Sequence, residues 1–539
     1  KQEDNTENED EWNIASASAA CITILAECTG DAILPIISPF IQLIKSDKWR
    51  QREASTMALG SILKGPTSQD MKNMSVEVLG ILRQHLVSDS SDCVRATSGW
   101  AISRIAILQP FAICSDNEII PSLLSMFSYY DPIVAYYSCY ALLNILYLFS
   151  SKRQEQHNDL STIFISVCDS LIRAAERDEE GTTKLRITAY EALITLIGVS
   201  PNDCVISQYP RIIETFIIKL DQSFDDSVEF DIQQQKQSYI PLILQSLVNR
   251  LGYNVSNNHA VNMYRLFLTI FQKQNRIVDE PMNALSSVFT ACPPLLEQNI
   301  SSFVAYFLAA LKNYSDISVF KSALNCLGTF CDILGTNLYD FDSGKLTDMI
   351  VITLIQLLQN PDVQPEIRPL IISSIVDIIM AIECRGFIYF PCVMQVLLAA
   401  SETKISPTDD DDFIDYVIAL REAILEAYPP LIDIVCQLDK KDEFMPYLIK
   451  LIPFMERLWN ESSYRTKSIL SSMIGIMGDI LKHFVPLMHE TMKSSMLGMH
   501  FIYELLEKGI ASTNEDTSET ALWAKQQLDN ALITEFQVT

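Results

Sequence analysis

Residues Asp47–Pro66 read DKWRQREASTMALGSILKGP. Ala54, Met57, Ala58, Ser61 and Ile62 fall at i, i+3, i+4, i+7 and i+8, which predicts a helix with one face of small and apolar side chains. Gly65-Pro66 predicts its end, because glycine tolerates the helix-terminating conformation and proline cannot continue the hydrogen-bond ladder. With Arg52 as position zero, the residue at +5 is variable (Met57), that at +6 is small (Ala58) and that at +10 is apolar (Ile62).

The same rule returns along the chain: Arg95, Trp100, Ala101, Ile105; Arg186, Glu191, Ala192, Leu196; Arg368, Ser373, Ser374, Ile378; Arg421, Glu426, Ala427, Leu431. Weaker copies lack the arginine (Tyr140, Ala141, Ile145; Trp523, Ala524, Leu528) or the apolar residue (Arg465, Leu470, Ser471, Gly475). Copies about 40 to 50 residues apart have the period of two-helix HEAT or armadillo repeats. A small residue at one fixed point per repeat lets two helices approach closely, and the apolar positions fill the seam. The expected fold is all-α: an α-solenoid, or superhelix, of HEAT repeats.

A solenoid grows without one central core, so 539 residues need not mean several globular domains. The chain is 48% hydrophobic with only 16 glycines, which suits helices joined by short turns. Forty Lys and Arg against 67 Asp and Glu leave a formal charge of −27. Bare nucleic acid is thereby a poor partner, since phosphate binding needs clustered cations. A basic protein or peptide is the complement, although acidity also serves solubility alone. The thirteen cysteines are scattered, mostly within apolar stretches and without a CxxC pair, which points to a reducing compartment. The opening KQEDNTENEDE has no signal-peptide character. The longest apolar run, Met349 to Leu358, is short for a bilayer, so no membrane insertion is expected. The chain starts without Met and enters the repeat pattern halfway, as a segment of a longer protein would.

In order, residues 1–11 form an acidic loop remnant with Glu3, Asp4, Glu7, Glu9, Asp10 and Glu11. Residues 12–28 read as a leading half-repeat. About eleven helix pairs follow: 31–63, 66–108, 115–149, 156–199, 206–252, 258–292, 294–334, 338–382, 385–437, 440–481 and 484–533. They group as 31–252, 258–437 and 440–533. Pro281 is expected to kink or shorten the second helix of its pair. In each pair the recurring pattern is the second helix, and second helices line the concave side of such a stack.

No catalytic constellation emerges. The six histidines (His85, His157, His259, His483, His489, His500) lack metal spacing, and phosphate-loop, dinucleotide-loop and nucleophile-elbow motifs are absent. Glu422 and Glu426 are i, i+4 neighbours on a helix face rather than carboxylates flanking a cleft. Nothing implies a cofactor, a metal or an enzyme.

Binding features are stronger. The +5 positions include Trp100, Tyr140 and Trp523, which serve either as core filling or as an aromatic shelf for the stem or guanidinium of a basic ligand. Acids stand between them on second helices: Glu53, Glu191, Asp332, Asp377, Glu422, Glu426 and Asp479. Alternating aromatic and acidic sites suit a long Arg/Lys-rich helix, whereas any single acid alone is more often a surface charge. The position-zero arginines read as structural, with Asp89 and Asp362, each six residues ahead of the next arginine, as partners between stacked repeats.

Trp49-Arg50-x-Arg52-Glu53-Ala54-x-x-Met57-Ala58-x-Gly60, followed by Gly65-Pro66, resembles one repeat of the importin-β family of karyopherins. Further blocks match in order: Glu11-Trp12-Asn13 after an acidic run, Leu185-Arg186 with Ala189-Tyr190-Glu191, Leu311-Lys312-Asn313-Tyr314, and Leu420-Arg421-Glu422 with Leu425-Glu426-Ala427-Tyr428. The chain resembles the family's C-terminal part from its acidic loop onward. The resemblance implies a nuclear transport receptor that binds the basic importin-β-binding segment of importin-α, or basic cargo, through inner acids and a tryptophan array. Trp12, Trp100 and Trp523 match array-type positions, and Tyr140 stands where the family usually has Trp. It further implies that run 3–11 resembles the loop touching the Ran GTPase and cargo. A secondary site for FG-repeat nucleoporins is expected on outer helices around 294–313, 345–359 and 387–401. Location in cytoplasm, nucleus and nuclear envelope goes with it. The rival from another class is a HEAT scaffold subunit of a phosphatase or other complex, against which the uneven repeat spacing and the acidic loop speak.

Overall fold

The computed structural model describes residues 14–150, 160–225, 227–406, 408–489 and 495–538. Among them the chain is helical and contains no strand. It divides into two compact bodies, one ending at Ile270 and the other starting at Phe271. A leading helix α1 (Ile14–Thr29) precedes eleven pairs, whose second helices are α3 (Trp49–Ile62), α5 (Asp92–Leu108), α7 (Pro132–Tyr147), α9 (Thr183–Val199), α11 (Phe230–Leu251), α13 (Asp279–Ala291), α15 (Ile317–Leu334), α17 (Arg368–Ala381), α19 (Asp411–Gln437), α21 (Lys467–His483) and α23 (Glu515–Val538). The first helices are α2 (Leu34–Ile41), α4 (Gln69–Ser88), α6 (Ile119–Ser125), α8 (Leu160–Ala175), α10 (Asn202–Gln222), α12 (Asn257–Gln274), α14 (Pro293–Lys312), α16 (Lys345–Gln359), α18 (Phe390–Ser401), α20 (Lys441–Asn460) and α22 (His500–Ile510). This is an α-solenoid of HEAT-type pairs.

Local chemistry sets the ends. Asp131 caps α7 by accepting from the N–H groups of Ile133 (2.8 Å) and Val134 (3.3 Å), with Pro132 at the first helical position. Asp316, Asp410 and Thr466 cap α15, α19 and α21 in the same way. Asp411 and Asp412 therefore lie in the first turn of α19, where carboxylates favour the helix dipole. Pro281 is the third residue of α13, in its first turn, where the missing N–H costs no intrahelical hydrogen bond.

Within each body the second helices form a continuous layer. In the first, α3, α5, α7, α9 and α11 pack in succession along their lengths, and in the second α13, α15, α17, α19, α21 and α23 do so. Successive first helices meet only at a few points. The small +6 residues Ala58, Ala101, Ala141, Ala192, Ser374, Ala427 and Ala524 are buried, as are the +10 residues Ile62, Ile105, Ile145, Leu196, Ile378, Leu431 and Leu528. The buried face of α3 differs from the expected one. Ser55, Thr56, Leu59 and Gly60 are buried too, whereas Ala54 is exposed and Met57 half-buried. A middle-layer helix is covered from several sides, so a single apolar stripe under-describes it.

Three of the position-zero arginines hydrogen-bond across to the following repeat. Arg52 donates from Nε and Nη2 to the two oxygens of Asp89, each at 2.7 Å, and from Nη1 to the Ser46 carbonyl at 2.8 Å. Arg186 reaches Gln235 (2.8 Å) and Arg421 reaches Glu461 (2.6 Å), both in the following repeat. Asp362 does not take part: Arg368 turns back to the Val363 carbonyl, at 3.4 Å.

Two broader expectations change. Four stretches (Ile14–Lys45, Ile317–Leu334, Glu383–Ser401, Lys467–Leu487) are long and apolar enough to cross a bilayer by length and composition, which counting uninterrupted apolar runs misses. Just over half of the second and fourth is buried between neighbouring helices, an internal reason for their apolarity. The cysteines are also less uniformly buried than expected: Cys139, Cys168, Cys326 and Cys331 are core, but Cys21, Cys28, Cys93, Cys114 and Cys384 are exposed. An apolar neighbourhood in sequence does not say which side of a helix a residue takes.

Candidate functional site

The +5 positions share one environment. Met57, Trp100, Tyr140, Glu191, Ser373 and Trp523 are all half-buried and Glu426 is exposed, so each stands at the edge of the seam rather than within it. Trp100 is packed on one side and open on the other. Its ring packs over Gly60 of the preceding second helix, close enough that a β-carbon there would lie 2.3 Å from Cζ3. Its remaining surface forms one wall of a cleft of about 470 Å³, shared by α1, α3, α5 and α7.

The other walls are Glu53 and Met57 from α3, Asp92 and Cys93 from α5, and Asp131 and Tyr137 from α7. Three carboxylates thus face a tryptophan, and no basic side chain lines the cleft. Burial pushes the Glu53 carboxyl above the ordinary carboxylate range, with Arg50 pulling it partly back. The Cys93 thiol is likewise pushed up, first by burial and then by Glu53. The arrangement can receive a cation whose apolar stem lies on the indole. An apolar groove of about 560 Å³ adjoins it, lined by Ile22, Ile37, Phe40 and Leu43, and shares Glu53 and Met57.

Tyr140 is not part of this cleft. Its ring lies near-parallel to that of Tyr136 at 6.0 Å, and Tyr137 takes the wall position. Glu191 is half-buried, and burial holds its carboxyl up. Trp12, Glu7, Glu9, Asp10 and Glu11 lie outside the described residues.

In the second body Trp523 repeats the device. A β-carbon on Gly478 of the preceding second helix would lie 2.1 Å from its Cζ3. Two pairs of acids face each other across adjacent second helices. Desolvation by the surrounding helices, and then the charge of Asp332, raise the Asp377 carboxyl. Desolvation, and then Asp433, push Asp479 up to about 6 against a weaker pull from Lys482. Glu426 is exposed, whereas Glu422 accepts a hydrogen bond from Thr466 Oγ1 at 2.5 Å and so serves the start of α21. A groove of about 450 Å³ between α16 and α18 is lined by Ile355, Leu358, Val396 and Ala399, with Tyr416 and Leu420 behind.

The sequence reading missed Asp92, Asp131, Tyr137 and Asp433. A signal for the first two existed, since both stand at the N-terminus of a second helix, where acids recur from repeat to repeat. Among the described residues no group of three or more His, Cys, Asp or Glu is placed to hold a metal.

A family model described as "Importin subunit beta-1-like, TPR repeats" matches residues 119–507, and one for HEAT-like repeats matches 49–105. The chain is 25% identical over 98% of its length to "Importin subunit beta-1" of Schizosaccharomyces pombe, and 25% identical over 99% to the Arabidopsis thaliana protein of that name. It spans 61% and 62% of those relatives, respectively. Among solved structures, importin beta in an ammonium sulfate condition superposes with a TM-score of 0.83 at 22% identity, covering 98% of this chain and 61% of that one. A "Kap95:Nup1 complex" gives 0.74 at 24%, covering 98% and 61%. These structural likenesses establish the fold.

Proposed function

Because the chain belongs to the importin subunit beta-1-like family, we propose that it is the part of a nuclear transport receptor that grips the basic importin-β-binding segment of importin-α, or basic cargo, on its second-helix face. The observation that carries this reading is the cleft in which Trp100 faces Glu53, Asp92 and Asp131 with no cation lining it. A guanidinium or ammonium group entering there meets three carboxylates, and its stem meets the indole and Met57. Trp523 and the Asp332/Asp377 and Asp433/Asp479 pairs extend the same chemistry along the second body, with Glu191 and Glu426 as further acids. FG-repeat nucleoporins would meet the groove between α16 and α18, where Ile355, Leu358, Val396 and Ala399 lie among polar side chains. The acidic segment with Glu7, Glu9, Asp10 and Glu11 would contribute to a partial contact with Ran. The protein would work between cytoplasm and nucleus and at the nuclear envelope, binding rather than catalysing.

Titration of a labelled importin-α basic segment at low and moderate salt tests this. Tight one-to-one binding that weakens with salt is expected, because exposed carboxylates act through a screened field. A folded protein that ignores the segment at low salt would turn the assignment toward the scaffold reading, which pull-downs with FG peptides and Ran separate from transport.

A further inference from the structure

We infer that Tyr129 and Tyr130 are positioning residues that hold the Asp92 carboxylate open to an incoming arginine, an inference that rests on the basic-segment reading above. Asp92 is the first residue of α5 and lines the cleft. The Tyr129 hydroxyl donates to its Oδ1 at 2.8 Å, and the Tyr130 hydroxyl donates to its Oδ2. Each carboxylate oxygen thus takes one phenolic donor, which fixes the carboxylate plane and leaves a lone pair on each oxygen for a ligand. The next residue of the same short loop, Asp131, caps α7 and supplies another of the cleft's carboxylates. One loop therefore builds two of the three acids, one directly and one by clamping.

The clamp matters because of what stands beside it. Arg95 Nε lies 3.9 Å from Asp92 Oδ1, too far for a close ion pair. Its guanidinium sits over the Tyr129 ring, 4.8 Å from the centroid, and Nη1 donates to the Leu86 carbonyl at 3.0 Å and the Val87 carbonyl at 2.5 Å. Without the phenols, Asp92 is free to turn onto Arg95, and the pair would take its charge out of the cleft. Arginine's planar fork senses the carboxylate plane, and an ammonium does not.

The experiment titrates two labelled synthetic helices, one arginine-rich and one its lysine counterpart, into the wild type, Tyr130→Phe and the Tyr129→Phe/Tyr130→Phe double variant. Each is repeated in an Asp92→Asn background, with thermal unfolding recorded in parallel. The double variant is expected to lose about tenfold in affinity for the arginine helix and less for the lysine helix, the scale of one charge-assisted hydrogen bond. Neither loss is expected once Asp92 is Asn. Tyr130 is 72% exposed, so Tyr130→Phe folds even if the double variant does not, and a loss of about threefold is expected from it alone. Unchanged affinity, or the same loss in both backgrounds, would overturn the clamp while leaving the binding reading intact. A wild type that binds neither helix would overturn both.

Discussion

The indole of Trp100 occupies the space a β-carbon would need on Gly60, with Cζ3 2.3 Å from where that atom would project. The ring is thereby fixed to the preceding second helix while its free surface faces the cleft. Trp523 stands to Gly478 in the same relation, at 2.1 Å.

Gly60→Ala should therefore act at a distance from its own small change. The added methyl meets a ring and has no room, and overpacking of this kind costs about 1–3 kcal/mol. Chemical unfolding will show the loss, and the basic segment should bind more weakly because the indole is displaced. An alanine variant of wild-type stability and affinity would mean that Trp100 does not rest on Gly60.

Trp100→Ala removes both a spacer and a wall, and Trp523→Ala removes the ring packed on Gly478. Each should lower stability and segment affinity together, the latter by about 1–2 kcal/mol. Trp100→Phe separates the roles. A phenyl ring refills part of the notch over Gly60 and recovers stability, but it offers a poorer face to a cation and recovers less binding. Parallel isothermal titration and thermal melts decide.

Arg52→Gln should be among the most damaging single changes. Asp89 is 7% exposed, and losing its partner leaves a buried carboxylate with no cation, a cost of about 3–5 kcal/mol. Burial by itself raises the Asp89 carboxyl, but the hydrogen bonds from Arg52 and from the Ser91 N–H, together with the Arg52 charge, outweigh it and the group ends below its ordinary value. Its contribution is accordingly complete above the usual carboxylate range and disappears as pH falls through the lowered value. The double variant Arg52→Gln/Asp89→Asn should be less destabilised than Arg52→Gln, and denaturant midpoints across acid pH will show it.

Asp479 has the opposite sign. Its carboxyl titrates at 3.8 when free of the fold and at about 6 within it. Between those values the folded chain holds the proton and the unfolded chain has lost it, so stability falls as pH rises through that window. Asp479→Asn should then be more stable than the parent at neutral pH, by about 1 kcal/mol once solvent screening is discounted, and no different near pH 4. A basic segment bound across Asp433 and Asp479 should release protons at about pH 6, which titration in two buffers of different ionisation enthalpy will detect.

Much of the architecture was readable because it repeats. Ala58, Ala101 and Ala141, 43 and 40 residues apart, with Ile62, Ile105 and Ile145 four residues on, are visible without coordinates, and all six prove to be buried. Asp89 was visible for the same reason, as an acid six residues ahead of Arg95, although the arginine it pairs with is Arg52 of the preceding repeat. Asp362 has that spacing and no such bond, and Arg368 donates to the Val363 carbonyl. Periodicity identifies candidates for a clasp; which acceptor wins depends on loop geometry that each repeat builds afresh.

The cleft was only half readable. Trp100 and Glu53 follow from the pattern, since both lie on second helices of regular period. Asp92 enters it with its carboxylate held by two tyrosines 37 and 38 residues away, and Tyr137 takes the wall that Tyr140 was expected to offer. Such adjacencies arise between repeats, where one turn of helical rotation exchanges one side chain for its neighbour. Glu422 shows the converse, an acid of apt position whose oxygen is already committed to Thr466.

The unequal packing of the two helix layers has a mechanical consequence. Within each body the second helices are close-packed in sequence, while the first helices touch at few points. A strip stiff along one side and slack along the other flexes about the stiff side, each repeat contributing a small rotation to its neighbour. The seam that carries Trp100 and its carboxylates is thus the hinge line, so a ligand held there sits where flexing moves its contacts least, while grooves between first helices open and narrow around it.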